Sequence, residues 1–230
     1  MLKPTAAQHD RDHHPEAALA PRLSRRQVLW GAAGLAGMSQ ALAEEALRHE
    51  TAEDALGPFY PLSLPKDQDF DLSLVAGRKA RAQGQLLYVS GRVVNPRGEP
   101  IPQAVLEVWQ ANAAGRYAHP GDTSSAPLDP NFQGYARIRS GADGSYLLKT
   151  IMPGPYGPRT RHIHFDVRGK ATRLITQMYF EGEAKNETDI LLKMQEPEDR
   201  KTLISRPGTP SGKQERDAMA VSWDIVLAFG

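Results

Sequence analysis

The stretch LLYVSGRVVNPRGEPIPQAVLEVWQA, residues 86–111, sets two runs rich in Val, Leu and Tyr on either side of Asn95-Pro96-Arg97-Gly98. β-Branched and aromatic runs bounded by Asn, Pro and Gly read as strands joined by a turn. The same pattern recurs outward along the chain, at 134–139, 145–151, 161–168, 173–181 and 221–229, with Ala142-Asp143-Gly144 as a further turn. Together with 86–95 and 101–111 these runs predict an all-β, antiparallel β-sandwich over residues 86–230.

Upstream, residues 44–85 are interrupted by Pro58, Pro61 and Pro65. They read as an irregular arm lying across the domain and forming one wall of a pocket. Downstream, Asn186 to Ser205 carries a weak helical pattern broken by Pro197, which predicts a packed excursion. Residues 1–43 read as a removable leader. SRRQVL at 24–29 precedes a soft apolar run from Trp30 to Leu42, and Ala41-Leu42-Ala43 precedes Glu44-Glu45. This is the pattern of a twin-arginine export signal cleaved near Glu44, and it predicts a periplasmic or secreted protein. The apolar run includes Ser39 and Gln40 and is too short to span a bilayer. His9, His13 and His14 lie in the discarded part and are no metal-site candidates.

The full chain has 28 Lys and Arg against 27 Asp and Glu, so no excess charge points to nucleic acid or an anionic membrane. The expected partner is a small molecule. Cysteine is absent, which removes disulfides, thiol nucleophiles and thiolate metal sites and leaves oxygen and nitrogen ligands.

The sharpest local feature is Arg161-His162-Ile163-His164-Phe165 on a predicted strand. Alternation puts the two imidazoles on one face and Ile163 and Phe165 on the other, toward the core. Taken alone, an HxH pair is as often two histidines on a wet strand face as half of a metal site. Two tyrosines tip the reading. Tyr156 sits in the rigid turn Pro153-Gly154-Pro155-Tyr156-Gly157-Pro158, and Tyr117 in Gly115-Arg116-Tyr117-Ala118-His119. A phenol titrates near pH ~10, so it becomes a ligand at neutral pH only beside a strongly Lewis-acidic ion such as ferric iron. Either tyrosine by itself would pass for a packing residue.

These motifs resemble the intradiol ring-cleavage dioxygenases, in the branch of the protocatechuate 3,4-dioxygenase β subunit. The resemblance runs from Gly57-Pro58-Phe59-Tyr60 through GRVVNPRGEPIPQAVLEVWQANAAGRYAHP, LDPNFQGYARI, DGSYLLKTIMPGPYG and RHIHFDV to RLITQMYF and DIVL. It implies a sandwich of prealbumin or transthyretin-like topology and a non-haem Fe(III) held by Tyr117, Tyr156, His162 and His164. It also implies that Tyr156 is released when a catechol-type substrate binds and acts as a base. Arg159 then stabilises carbanion character on the ring, and Gln177 lies near substrate and O2. Arg161 competes with Arg159 for its role; Trp109 and His119 flank Tyr117. Only Gly157 to Arg161 separate the PGPY turn from the histidines, where many relatives carry a longer insert, so one edge of the pocket should be short. A homo-oligomer is expected, with a separate partner subunit as the other possibility.

Two rival readings use fewer of these residues. A transthyretin-like binding module accounts for GRVVNPRGEPIPQAVLEVW and ADGSYLLKT but gives no reason for the four donors. A zinc hydrolase would use the two histidines but lacks a nearby Asp or Glu ligand and gains nothing from paired tyrosines.

Overall fold

The computed structural model describes residues 47–229, and the expected leader lies outside them. Strands form where the apolar runs stand between turns. β1 (Leu86–Val94) pairs antiparallel with β4 (Ser145–Ile151), with Val89 opposite Leu148. β2 (Val105–Trp109) lies between β3 (Tyr135–Arg139) and β5 (His162–Arg168), and β5 pairs with β6 (Arg173–Phe180), again antiparallel. The inner faces meet in one core. Leu87, Val89, Val93 and Leu148 from the first sheet pack with Leu106, Val108, Ile163, Phe165, Val167 and Met178 from the second. Truncating a side chain in such a core to alanine costs about 2–5 kcal/mol, which is why this layer sets the register of the strands above it.

The sandwich is as expected, but it is mixed rather than antiparallel throughout. The stretch read as weakly helical folds into a 3-10 turn (Ala184–Glu187), α1 (Ile190–Met194) and α2 (Pro197–Leu203), and α2 runs directly into β7 (Ile204–Gly208). Parallel neighbours cannot be joined by a tight turn and need a crossover. The excursion is that crossover, and it lays β7 parallel to β6 through the pairs Tyr179–Ile204 and Phe180–Ser205. β7 continues antiparallel to β8 (Met219–Ser222), so one strand belongs to both sheets. The run expected at 221–229 is two strands, β8 and β9 (Ile225–Val226), both parallel to β1. The second expected strand begins only at Val105, because Pro100 and Pro102 carry no amide donor and Gln103 has φ 59°.

Residues 47–85 form no helix or strand beyond one bridge of Asp71 to Lys149, as the prolines predict, and are tied down by scattered backbone bonds to both sheets. Thr51 N–H donates to Val226 O (2.9 Å), Asp54 N–H to Ile175 O (2.9 Å) and Leu72 N–H to Lys149 O (2.8 Å). No helix among the described residues is long and apolar enough to cross a membrane.

Candidate metal centre

On β5, Ile163 and Phe165 enter the sandwich core as alternation requires, and His162 and His164 project from the opposite face. That face is not wet. His162 is 2% and His164 1% exposed, because the arm and two loops cover them. Trp109, directly across from His164 in the β2–β5 register, stacks on its ring at 4.9 Å and 6°. The arm reaches the same ring through Gly57, whose φ is +75° and whose added Cβ would stand 2.9 Å from His164 Cε1. A cavity bordered by Phe59, Pro61 and Pro65 of the arm opens beside Trp109 and Tyr117, so the arm forms a pocket wall.

The tyrosine-bearing loops are locked together backbone to backbone. The Asn112 carbonyl accepts the amides of Gly115 (3.0 Å) and Gly154 (2.9 Å). A Cβ on Gly154 would come within 2.3 Å of Gly115 N, and one on Gly115 within 2.3 Å of Pro155 O, so only glycine allows this approach. The result is a ring of four side chains. Tyr117 and Tyr156 have centroids 5.3 Å apart, Tyr156 and His162 5.2 Å, His162 and His164 4.9 Å, and Tyr117 and His164 6.3 Å. Phe59 of the arm closes over both tyrosines at 4.7 and 5.7 Å. It also stands 5.6 Å from His119, which takes the Gly121 amide on Nδ1 and lies beyond the four rings.

Buried polar atoms ordinarily find partners. Here Tyr117 Oη, His162 Nε2 and His164 Nδ1 are buried with none. His162 Nδ1 lies 2.7 Å from the Thr160 carbonyl, which can only accept, so Nδ1 carries the proton and Nε2 presents a lone pair. Burial, then the positive charge of Arg159, lowers the His162 pKa to about 4, and burial with His162 as neighbour holds His164 well below its ordinary value. Both imidazoles are therefore neutral. Burial pushes Tyr117 well above its ordinary value, so its phenolate needs a cation beside it. Neutral imidazoles and phenols that ionise only against strong positive charge are the donor set that fits ferric iron. Among the described residues no group of three or more His, Cys, Asp or Glu is placed to hold a metal.

Arg159 lies at the edge of this ring, 9% exposed. Its Nη2 donates to Gln177 Oε1 (2.7 Å) and Tyr179 Oη (2.9 Å), and its Nε to Asp189 (2.8 Å). Gln177 also donates to the Ala55 carbonyl (2.7 Å), so both ends of its amide are engaged. Arg161 points elsewhere, donating to Pro153 O (2.7 Å) and pairing with Glu183 (3.2 Å).

Residues 56–229 match the family described as Dioxygenase. The β chain of protocatechuate 3,4-dioxygenase from Burkholderia cepacia is 38% identical over 187 residues, covering 77% of this chain and 79% of that one. The chain belongs to the intradiol ring-cleavage dioxygenase family. The α chain of protocatechuate 3,4-dioxygenase from the same organism is 30% identical over 175 residues, 70% of this chain and 87% of that one. Among solved structures, the dioxygenase domain of a dioxygenase carbohydrate-binding protein fusion from Streptomyces sp. SirexAA-E is 30% identical with a TM-score of 0.59. It covers 79% of this chain and 100% of that one.

In this intradiol dioxygenase, Asp54, Thr160, Tyr179 and Asp189, which motif spacing alone does not single out, hold the named residues in place. Asp54 receives the Tyr179 hydroxyl at 2.7 Å, and burial raises its pKa. The Asp189 position carried a legible signal, an aspartate immediately before Ile190-Leu191-Leu192, which is where a helix N-cap stands. Asp54 carried none, because its partners lie far along the chain.

Proposed function

We propose that the protein is a ferric, non-haem intradiol dioxygenase that opens a catechol-type ring between its two hydroxyl-bearing carbons. Both atoms of O2 enter the product, a cis,cis-muconate-type diacid, as one C–C bond breaks. The observation that carries this reading is the meeting of Tyr117, Tyr156, His162 and His164, with the buried Tyr117 Oη and His162 Nε2 left without any other partner. When bound, iron supplies Lewis acidity that makes phenolate and catecholate oxygens accessible at neutral pH.

The chain's own residues divide the remaining work. Tyr117 is 4% exposed and stays in place, whereas Tyr156 is only partly buried and is the side chain free to swing out; held as a phenolate by bound iron, its Oη would take a substrate hydroxyl proton and leave as the neutral phenol. The Arg159 guanidinium is held beside the site and stabilises negative charge on the attacked ring carbon. Gln177 bounds the substrate position while bracing Arg159. Phe59 and Trp109 keep water from the face they cover.

Metal analysis and a visible spectrum test the site, since tyrosinate-to-iron charge transfer colours the protein and Tyr117→Phe or Tyr156→Phe should each alter the band. Mass spectrometry with labelled O2 tests the cleavage. Zinc in a colourless active protein, or a 2-hydroxymuconic semialdehyde product, would refute the reading.

We further propose twin-arginine export of the chain with loss of residues 1–43, on the strength of Arg25-Arg26 and Ala41-Leu42-Ala43. Replacing both arginines by lysine should abolish periplasmic delivery, and unchanged delivery would defeat the idea. We propose a homo-oligomer in solution; the similarity to both an α and a β chain makes a second kind of subunit the competing outcome of a native mass measurement.

A further inference from the structure

Arg159 is carried on a short turn. Its own amide donates to Tyr156 O at 3.0 Å, and nothing else within residues 157–161 holds its side chain. Its direction is fixed from outside that turn. Asp189, 0% exposed at the start of α1, accepts from Arg159 Nε and from the Thr160 amide through one oxygen, each at 2.8 Å. Its other oxygen accepts the amides of Leu191 and Leu192 at 3.1 and 3.2 Å. A carboxylate has two oxygens and accepts only, so four donors converging from two segments fix both its position and its plane.

The opposite edge of the guanidinium is gripped as well. Nη2 donates to Gln177 Oε1 and Tyr179 Oη, and Tyr179 in turn donates to Asp54. Nη1 is the guanidinium nitrogen with no hydrogen bond among the described residues, and so is the donor left over for a ligand. Thr160, fixed by the same Asp189 oxygen, offers its carbonyl to His162 Nδ1.

We propose that Asp189 is a positioning residue that aims the Arg159 guanidinium at the reacting ring, a role that rests on the reading of Arg159 given above. The crossover between β6 and β7 therefore does more than join two strands. It brings a buried anion behind the short Gly157–Arg161 turn, whose other outside ties, Thr160 Oγ1 to Asn186 and Arg161 to Pro153 and Glu183, do not touch the Arg159 guanidinium. Asparagine at 189 keeps the volume but has one oxygen, which cannot serve both the helix amides and the arginine, and its amide N–H groups would face donors.

The test is a double-mutant cycle with one readout that needs no metal. In full-length, metal-free wild-type protein, the Arg159 Nε–H resonance, assigned by its loss in Arg159→Lys, should exchange slowly with water. It should exchange at the rate of an exposed arginine in Asp189→Asn. In the iron-loaded enzyme, Asp189→Asn should lower kcat about tenfold or more while Arg159 is present, and less than about twofold in the Arg159→Ala background. Equal losses in both backgrounds would show that Asp189 supports the fold alone and would overturn the proposal. An unprotected Nε–H in the wild type would overturn it too, and needs no variant at position 189 to fold. Normal turnover in Arg159→Ala with a protected wild-type Nε–H would instead remove Arg159 from the reaction while leaving the clamp intact. That outcome separates the failure of the two ideas.

Discussion

Gly57→Ala is the substitution in which the arm's contact with the candidate metal site can be weighed. The backbone there has φ +75°, in the left-handed region, where a Cβ costs about 1–2 kcal/mol. The new methyl would also stand 2.9 Å from His164 Cε1, well inside ordinary contact. The ring cannot retreat, because Trp109 is stacked on it at 4.9 Å and Tyr117 lies 6.3 Å away. Overpacking of this kind costs roughly a further 1–3 kcal/mol. The sum, about 2–5 kcal/mol, corresponds to a melting shift of roughly 5–15 °C for a domain of this size. Gly77→Ala is the matched control, since it too has positive φ (+81°) but a Cβ there would meet nothing within 4 Å. It should lose only the backbone share, about 3–6 °C. Differential scanning fluorimetry on both variants, with iron content measured alongside, decides the matter. If the two melted within a degree or two of each other and both kept full iron, the arm would not bear on His164 as described.

Arg159→Ala should lower turnover by roughly a hundredfold with iron retained, since one preorganised electrostatic contact is commonly worth about 2.7–4 kcal/mol. Arg161→Ala, whose guanidinium is committed to Pro153 and Glu183, should do far less, as single-turnover kinetics on the pair would show. His162→Ala and His164→Ala should each lose iron while circular dichroism stays β-rich, and a variant with full iron would refute the ligand assignment. Because His164 is 1% exposed and stacked on Trp109, its removal should also destabilise the domain by about 1–3 kcal/mol in urea. Glu215 gains hydrogen bonds from Tyr88 and Lys149 that lower its pKa from 4.5 to about 2. A carboxyl depressed on folding contributes stability that is complete above its unfolded value and lost as pH falls from about 4.5 toward 2. Urea titrations from pH 6 to about 3 should show that slope, and Glu215→Gln should flatten it.

Much of the fold could be read because turn residues are local signals. Asn95-Pro96-Arg97-Gly98 and Ala142-Asp143-Gly144 separate runs that became β1, β2, β3 and β4. β7 could not be read that way. Ile204-Ser205-Arg206-Pro207-Gly208 contains both Pro and Gly and follows a helical pattern, and it is a strand only because β6 and β8 stand on either side to pair with it. The HxH pair could be placed on one face of β5 by alternation alone. Whether that face met water or protein depended on an arm more than a hundred residues upstream, and strand periodicity says nothing about what covers a sheet. The same limit hid Asp54 and Tyr179, whose meeting is set by tertiary packing, whereas Asp189 announced itself as a cap but not as the partner of Arg159.

The pairing of β1 with β8 and β9 shapes the order in which this molecule is assembled. Leu87 finds its parallel partner in Met219 and Val93 in Ile225, so one side of β1 stays open until those late segments have been synthesised. Its other neighbour, β4, is available much earlier. A ribosome-bound chain therefore passes through a stage in which a Val- and Leu-rich strand has a single partner and an unpaired edge. Such edges recruit other strands, and closing so long a loop is slow. Chaperone demand during synthesis should be concentrated in that interval and should end only once Met219 and Ile225 have both docked.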